Sequence, residues 1–224
     1  MTQTFFVTGT DTGVGKTLVA AGLLLAAGQR GLSTGAVKPI AAGCDEQGHN
    51  EDALMLQAAV NLGLSYRQVN PVALAPAIAP HIAAAQAGKQ ISATRLAGYC
   101  RGVMNAGADF VLLEGAGGWR VPLNQRETLA DLAVQLQTPV VLVVAMRLGC
   151  INHALLTAEA IRHDGLPLAG WVANTCGESM SHYQENLDTL RSHLPAALLG
   201  EVPHLEVADP QQVAECLDLS ALTG

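Results

Sequence analysis

"FFVTGTDTGVGKT", residues 5 to 17, decides the fold. A short apolar segment enters a glycine-rich turn that closes on Gly15-Lys16-Thr17, and a long apolar run, "LVAAGLLLAAGQR", follows. Strand, glycine turn and helix together let backbone N–H groups converge on phosphate oxygens, with the positive end of the helix behind them. The common P-loop reads G-x-x-x-x-G-K-[ST]. Here the first glycine, Gly9, lies one residue too far out, Thr10 holds the usual glycine position, and Gly13 adds freedom in the middle. The physical needs are still met. Lys16 can reach β- and γ-phosphate oxygens, and Thr17 can ligate Mg²⁺. A glycine turn with no ligand is the alternative, and the strand before it and the helix after it favour a nucleotide phosphate.

The bulk properties bound the rest. The chain has 224 residues, half of them hydrophobic and only 14% charged, with a mean hydropathy of +0.28. That suffices for one domain, 1–224, with a large core. Aromatics are 4%, so the core must be aliphatic, which suits buried parallel strands faced by Ala/Leu helices. A net charge of −7 argues against a nucleic-acid partner, which needs clustered Lys and Arg. No uninterrupted apolar stretch suits a membrane span, and the N-terminus does not read as a secretory signal. The five cysteines are widely spaced without metal-binding pairs, as expected for reduced thiols in the cytoplasm.

Short apolar runs alternate with helical patterns. Strands are expected at 4–9, 33–40, 109–115, 139–145, 168–175 and 197–202, and helices at 16–30, 51–63, 92–106, 151–165 and 182–194. Strands separated by helices require crossovers, so the fold class is a single α/β P-loop NTPase-like domain, a mostly parallel sheet with helices on both faces. Ligands in such sheets sit beyond the carboxyl ends of the strands.

Three residues near such ends draw attention. Lys38 in "AVKPIAAG" is a compact cation suited to a small anion such as a carboxylate, or else a solvated strand-end lysine. Glu114, at the expected end of "DFVLLEG", suits Mg²⁺ held directly or through water. Asp52, at a helix start, fits helix capping and metal binding equally. The glycines of "EGAGGW", 114–119, point to close approach of backbone to a ligand, with a flexible loop as the alternative.

Taken together and in order, "TGTDTGVGKT", "KPIAAG", "EGAGGW", "LGCINHALLT" and "GWVAN" closely resemble the dethiobiotin synthetase family, from residue 4 to about 205. The resemblance implies an ATP- and Mg²⁺-dependent ligase that closes 7,8-diaminopelargonic acid and CO₂ into dethiobiotin, through a carbamate and a carbamic-phosphoric mixed anhydride. It implies catalytic roles for Lys38 and Lys16. It places nucleotide on Asp11, Thr12, Gly13, Val14, Gly15, Lys16 and Thr17, on Glu114 and Gly117, on Asn174, and on Pro203, His204 and Leu205. Metal would rest on Thr17, Asp52 and Glu114. Substrate would meet Thr12, Lys38, Gly117 and Gly118, and, near a homodimer interface, Gly149, Cys150, Ile151 and Asn152. Ala42, Gly13 and Arg147 stand where the family also shows serine, glutamate and lysine.

Two other readings compete. A switch ATPase of the partitioning type shares the P-loop fold, but its signature lysine, five residues before the P-loop lysine, is replaced here by Asp11. An amidoligase of cobalamin synthesis would carry an additional glutamine-hydrolysing domain, for which 224 residues leave little room.

Overall fold

The computed structural model describes residues 2–177 and 180–223. In chain order the elements are β1 (Gln3–Gly9), α1 (Lys16–Gln29), β2 (Thr34–Val37), β3 (Ala41–Ala42), α2 (Glu51–Ala59), α3 (Tyr66–Val69), β4 (Ala73–Leu74), α4 (Pro80–Gln86) and α5 (Ala93–Met104). They continue with β5 (Phe110–Gly118), α6 (Leu129–Leu136), β6 (Val140–Ala145), α7 (Cys150–His163), β7 (Leu168–Asn174), α8 (Tyr183–His193), β8 (Leu198–Val202), α9 (Pro210–Glu215) and α10 (Ser220–Thr223).

Six strands form one sheet in the order β2-β5-β1-β6-β7-β8, and every neighbouring pair is parallel. β6 shows why its sequence is an unbroken apolar run. Leu142 and Val144 pack with Trp171, Leu187 and Leu190 against α7 and α8, while Val141 and Val143 join the larger core on the other face. A strand buried on both sides has no polar face to alternate with. β1 sits in the middle of the sheet, between β5 and β6. The strand order reverses there, so the crevice for a ligand opens at its carboxyl end, where the glycine-rich turn begins.

The expected strands and helices are present, and their limits differ for local reasons. The helix expected over 51–63 ends at Ala59, because Asn61 bonds to β2 instead. Its side-chain oxygen accepts the Thr34 N–H at 2.7 Å, and its own N–H donates to Thr34 Oγ1 at 3.1 Å. The strand expected over 33–40 stops at Val37, just before Lys38-Pro39, since proline has no N–H for the ladder. β5 runs past Glu114 to Gly118, where Gly118 pairs with Gly9. Between 115 and 139 no element is expected from the sequence, yet α6 lies there. Its apolar residues Leu129, Leu132, Ala133 and Leu136 follow helical spacing, and Thr128 with Asp131 forms a capping box at its start. That pattern is the signal that finds this crossover.

The turn after β5 is tied down at a distance. Trp119 packs edge-on against Phe6, and its indole N–H donates to Asp164 Oδ2 at 2.7 Å, beside an Arg120–Asp164 ion pair. Asp164→Ala strands a buried indole N–H, so it should cost roughly 1–3 kcal/mol in urea unfolding. An unchanged midpoint would show that the latch does not hold this turn.

Candidate active site

The site is assembled by strand order. β1, β5 and β2 are consecutive neighbours, so the turn after β1, a side chain of β5 and the residue after β2 meet at one edge. Register does the fine placement. Val7 pairs with Glu114 and Val37 pairs with Leu113, which brings Lys38 level with Glu114. Glu114 therefore lies inside its strand, four residues before the end, and not at the carboxyl end that the sequence suggests.

Lys38 and Glu114 are both almost fully buried and joined by a direct ion pair. The Lys38 ammonium also donates to Asp52 Oδ2 at 2.7 Å, and Thr17 Oγ1 donates to Glu114 Oε1 at 2.7 Å. Burial opposes the charge on Lys38, but the carboxylates of Glu114 and Asp52 outweigh it and raise its pKa above the ordinary lysine value. Burial likewise opposes ionisation of Asp52, and Lys38 overcomes it and holds that carboxyl below its usual range. Lys38 is therefore a cation, and Asp52 an anion, at neutral pH. Burial lowers the pKa of Lys16, with Glu114 working against that shift.

Asp52 does not cap α2. Asn50 does, accepting the Ala53 N–H, while its amide donates to the carbonyls of Ala42 and Gly43. That leaves the Asp52 carboxylate free for the site. The Lys38 backbone is set by residues that no motif singles out. Its N–H donates to the Val69 carbonyl at 2.7 Å, and its carbonyl accepts the buried amide of Asn70 at 2.7 Å.

The glycine-rich turn has Gly15 as the left-handed N-cap of α1, with φ +81°. Lys16 folds back over it, its ammonium donating to the Asp11 carbonyl at 3.0 Å. Val14 is buried, and its carbonyl accepts the Asn174 amide at 2.9 Å, so Asn174 braces the turn from the end of β7. A cleft of about 790 Å³ opens beside it. Thr12, Gly13, Gly15, Lys16, Thr17, Lys38, Asp52 and Gly117 line its polar side. Met55, Ile78, Pro80 and Val121 form an apolar wall, none of them anticipated as site residues.

Other expected site residues lie elsewhere in the chain. Gly149 is the left-handed N-cap of α7, which starts at Cys150 and carries Ile151 and Asn152. These four follow β6, across β1 from Lys38, and do not line the cleft. Pro203 and His204 are exposed after β8, and Leu205 packs partly on the core.

The donor set suits a hard divalent cation. Glu114 Oε2 is buried with no hydrogen-bond partner, and the Thr17 hydroxyl and Asp52 carboxylate belong to the same cluster around it. Among the described residues no three His, Cys, Asp or Glu side chains form a metal cluster. Mg²⁺ takes one or two carboxylates and fills its shell with water and substrate phosphates, and Glu114 and Asp52 are such carboxylates beside the turn.

Known proteins bear on this geometry. A family model described as an AAA domain matches residues 3–212. An ATP-dependent dethiobiotin synthetase of Cellvibrio japonicus is 60% identical over 223 residues, covering 98% of this chain and 97% of its own. One of Pseudomonas aeruginosa is 61% identical over 221 residues, covering 97% of each chain. One of Aeromonas salmonicida is 51% identical, covering 99% of this chain and all of its own. Among solved structures, a ParA family ATPase of Chlorobium tepidum superposes with a TM-score of 0.56 at 12% identity, covering 100% of this chain and 96% of its own. The septum site-determining protein MinD of Pyrococcus horikoshii superposes with a TM-score of 0.54 at 18% identity, covering 95% and 86%. Likeness at such identity extends to the P-loop fold alone, whereas the near-complete sequence matches extend to the family. The chain belongs to the ATP-dependent dethiobiotin synthetase family.

Proposed function

We propose that the protein is a ligase that uses ATP to close 7,8-diaminopelargonic acid and CO₂ into the cyclic urea of dethiobiotin, releasing ADP and phosphate. The observation that carries this reading is the buried Lys38 ammonium, held beside the phosphate turn by Glu114 and Asp52. Phosphoryl transfer asks a protein for positioning and charge neutralisation more than for covalent chemistry. This site offers both.

One amine of the substrate adds to CO₂ and loses a proton, giving a carbamate. A carbamate oxygen attacks the γ-phosphorus of ATP, the bond to the bridging oxygen breaks, and ADP leaves. The second amine then attacks the carbonyl of the mixed anhydride, phosphate departs with the electron pair of the C–O bond, and loss of a proton completes the ring. Lys38 attracts the carbamate and aims it at the γ-phosphate. Lys16 steadies the transferring phosphoryl group. The N–H groups of the turn from Asp11 to Thr17 cradle the phosphates. Thr17, Asp52 and Glu114 would hold Mg²⁺, which when bound spreads the negative charge of the phosphates. Thr12, Gly117 and Gly118 meet the substrate. The apolar wall of Met55, Ile78 and Val121 suits an aliphatic chain.

Asn174 and the segment Pro203, His204 and Leu205 are read as adenine contacts. The turn 149–152 receives the substrate's carboxylate tail in a homodimer. Leu148, 94% exposed, and the exposed Leu156 flank that turn and would be covered there. Among the described residues no helix is long and apolar enough to cross a membrane. All five cysteines are free, in keeping with a cytoplasmic enzyme.

The test is ADP release with ATP, Mg²⁺ and bicarbonate, with and without the diamine, and mass spectrometry of the product. Diamine-dependent ADP release with a product at the mass of dethiobiotin is expected. ADP release indifferent to the diamine would reduce the protein to a P-loop ATPase.

A further inference from the structure

An aspartate at the mouth of an anion site is an electrostatic liability, and residue 11 is one. Its carboxylate is engaged on both sides. Oδ1 accepts the N–H of Thr12 at 2.7 Å, one of the donors of the turn. Oδ2 accepts Arg147 Nη2 at 2.9 Å. Its carbonyl meanwhile takes the Lys16 ammonium. Asp11 thus holds two of the groups that the phosphates of ATP need, and its charge repels them.

Arg147 comes from the turn between β6 and α7, 136 positions along the chain. Both partners are about half exposed, and a surface pair of that kind contributes little to folding stability. Its effect is local. The Cys176 thiol, whose pKa burial raises, feels the charges of both Arg147 and Lys16, so the guanidinium and the P-loop ammonium act on the same small region.

We propose that Arg147 is a positioning residue for ATP, acting through Asp11. It cancels the charge of the Asp11 carboxylate, so that incoming phosphates can displace Asp11 Oδ1 from the Thr12 N–H and approach Lys16 without added repulsion. The proposal rests on the reading that ATP binds in this turn. It differs from a direct role, in which the guanidinium itself touches phosphate.

A double-mutant cycle separates the two. ATP affinity by titration calorimetry with Mg²⁺, together with kcat and KM for ATP and for the diamine, is measured for Arg147→Met in the native background and in an Asp11→Asn background. In the native background Arg147→Met should weaken ATP binding about tenfold, the size of one charge–charge interaction at a half-exposed site. The loss should fall on Kd and KM for ATP and leave KM for the diamine in place. In the Asp11→Asn background the same change should cost less than about twofold, because the charge to be cancelled is gone. Arg147→Lys should retain most of the affinity, and the unfolding midpoints should agree. A tenfold loss that persists with Asp11→Asn, or one that falls on kcat, would overturn the proposal in favour of direct phosphate contact. No loss in the native background would overturn it outright. Failure of the native protein to bind ATP at all is a different result, and would sink the functional reading instead.

Discussion

Lys38→Ala is expected to cut turnover by about three orders of magnitude while ATP still binds, because removing one positioned charge from a transition state commonly costs that much. The geometry explains why the loss should be so uneven. Lys38 lies after β2, two strands from the phosphate turn, and its ammonium touches Asp52 and Glu114 and no part of the turn. The nucleotide cradle we propose, residues 11–17 braced by Asn174, keeps the Lys16–Asp11 and Asn174–Val14 hydrogen bonds in this variant. The substitution does strand Glu114. A buried carboxylate that loses its cation is expensive, roughly 3–5 kcal/mol when the pair is broken from one side, although Thr17 still donates to it. Unfolding and ATP affinity must therefore be measured beside kcat. Substrate-dependent turnover within tenfold of the native protein would remove Lys38 from the mechanism.

Gly15→Ala should abolish productive nucleotide binding, with ATP affinity lower by about a hundredfold or more. Two physical costs meet at this position. Its φ of +81° is a left-handed conformation, which costs an L-residue about 1–2 kcal/mol. A Cβ there would also clash with the Asn174 amide nitrogen, the group that braces Val14. Either the brace moves or the turn opens, and both spoil the convergence of N–H groups on phosphate. Gly13→Ala is the natural control. Its φ is +71°, yet nothing lies within 4 Å of the added carbon, so it carries the conformational cost alone. Calorimetric ATP binding by both variants decides the matter. Equal losses would show that the Asn174 brace is irrelevant, and an unchanged affinity for Gly15→Ala would show that the turn does not bind phosphate.

Much of this was legible in the sequence, because the signals are local. A strand, a glycine turn and a lysine-threonine helix start lie within residues 5–17, and their chemistry depends on neighbours along the chain. The two-sided burial of β6 is equally local, since a continuous apolar run has one cheap solution in a layered sheet. α6 is not expected from the sequence reading, although its capping box and helical spacing carry the signal, because the glycine-rich stretch before it conceals the crossover.

Other features depend on what the sheet brings together. Spacing left Asp52 divided between capping and the site; the division ends only because Asn50 takes the cap. Asn70 matters because α3 happens to lie against the strand end that carries Lys38. Glu114 was expected at a strand terminus and lies within β5, since strand length is fixed by the partner strand's register and not by the residues themselves. The Trp119–Asp164 and Asp11–Arg147 contacts join positions 45 and 136 apart, and no periodicity encodes such a meeting.

By itself, then, the sequence determined the layered parallel fold, the phosphate turn and the family, because each is written in short-range pattern or in ordered motifs. Tertiary structure alone decided which charges face each other. Lys38 meets Glu114 because β2 and β5 are neighbours in the order of the sheet, and it meets Asp52 because the first turn of α2 lies over the same edge. That adjacency is a product of chain crossovers, and the energy of a buried ion pair depends on distance and burial, which exist only after the strands have paired.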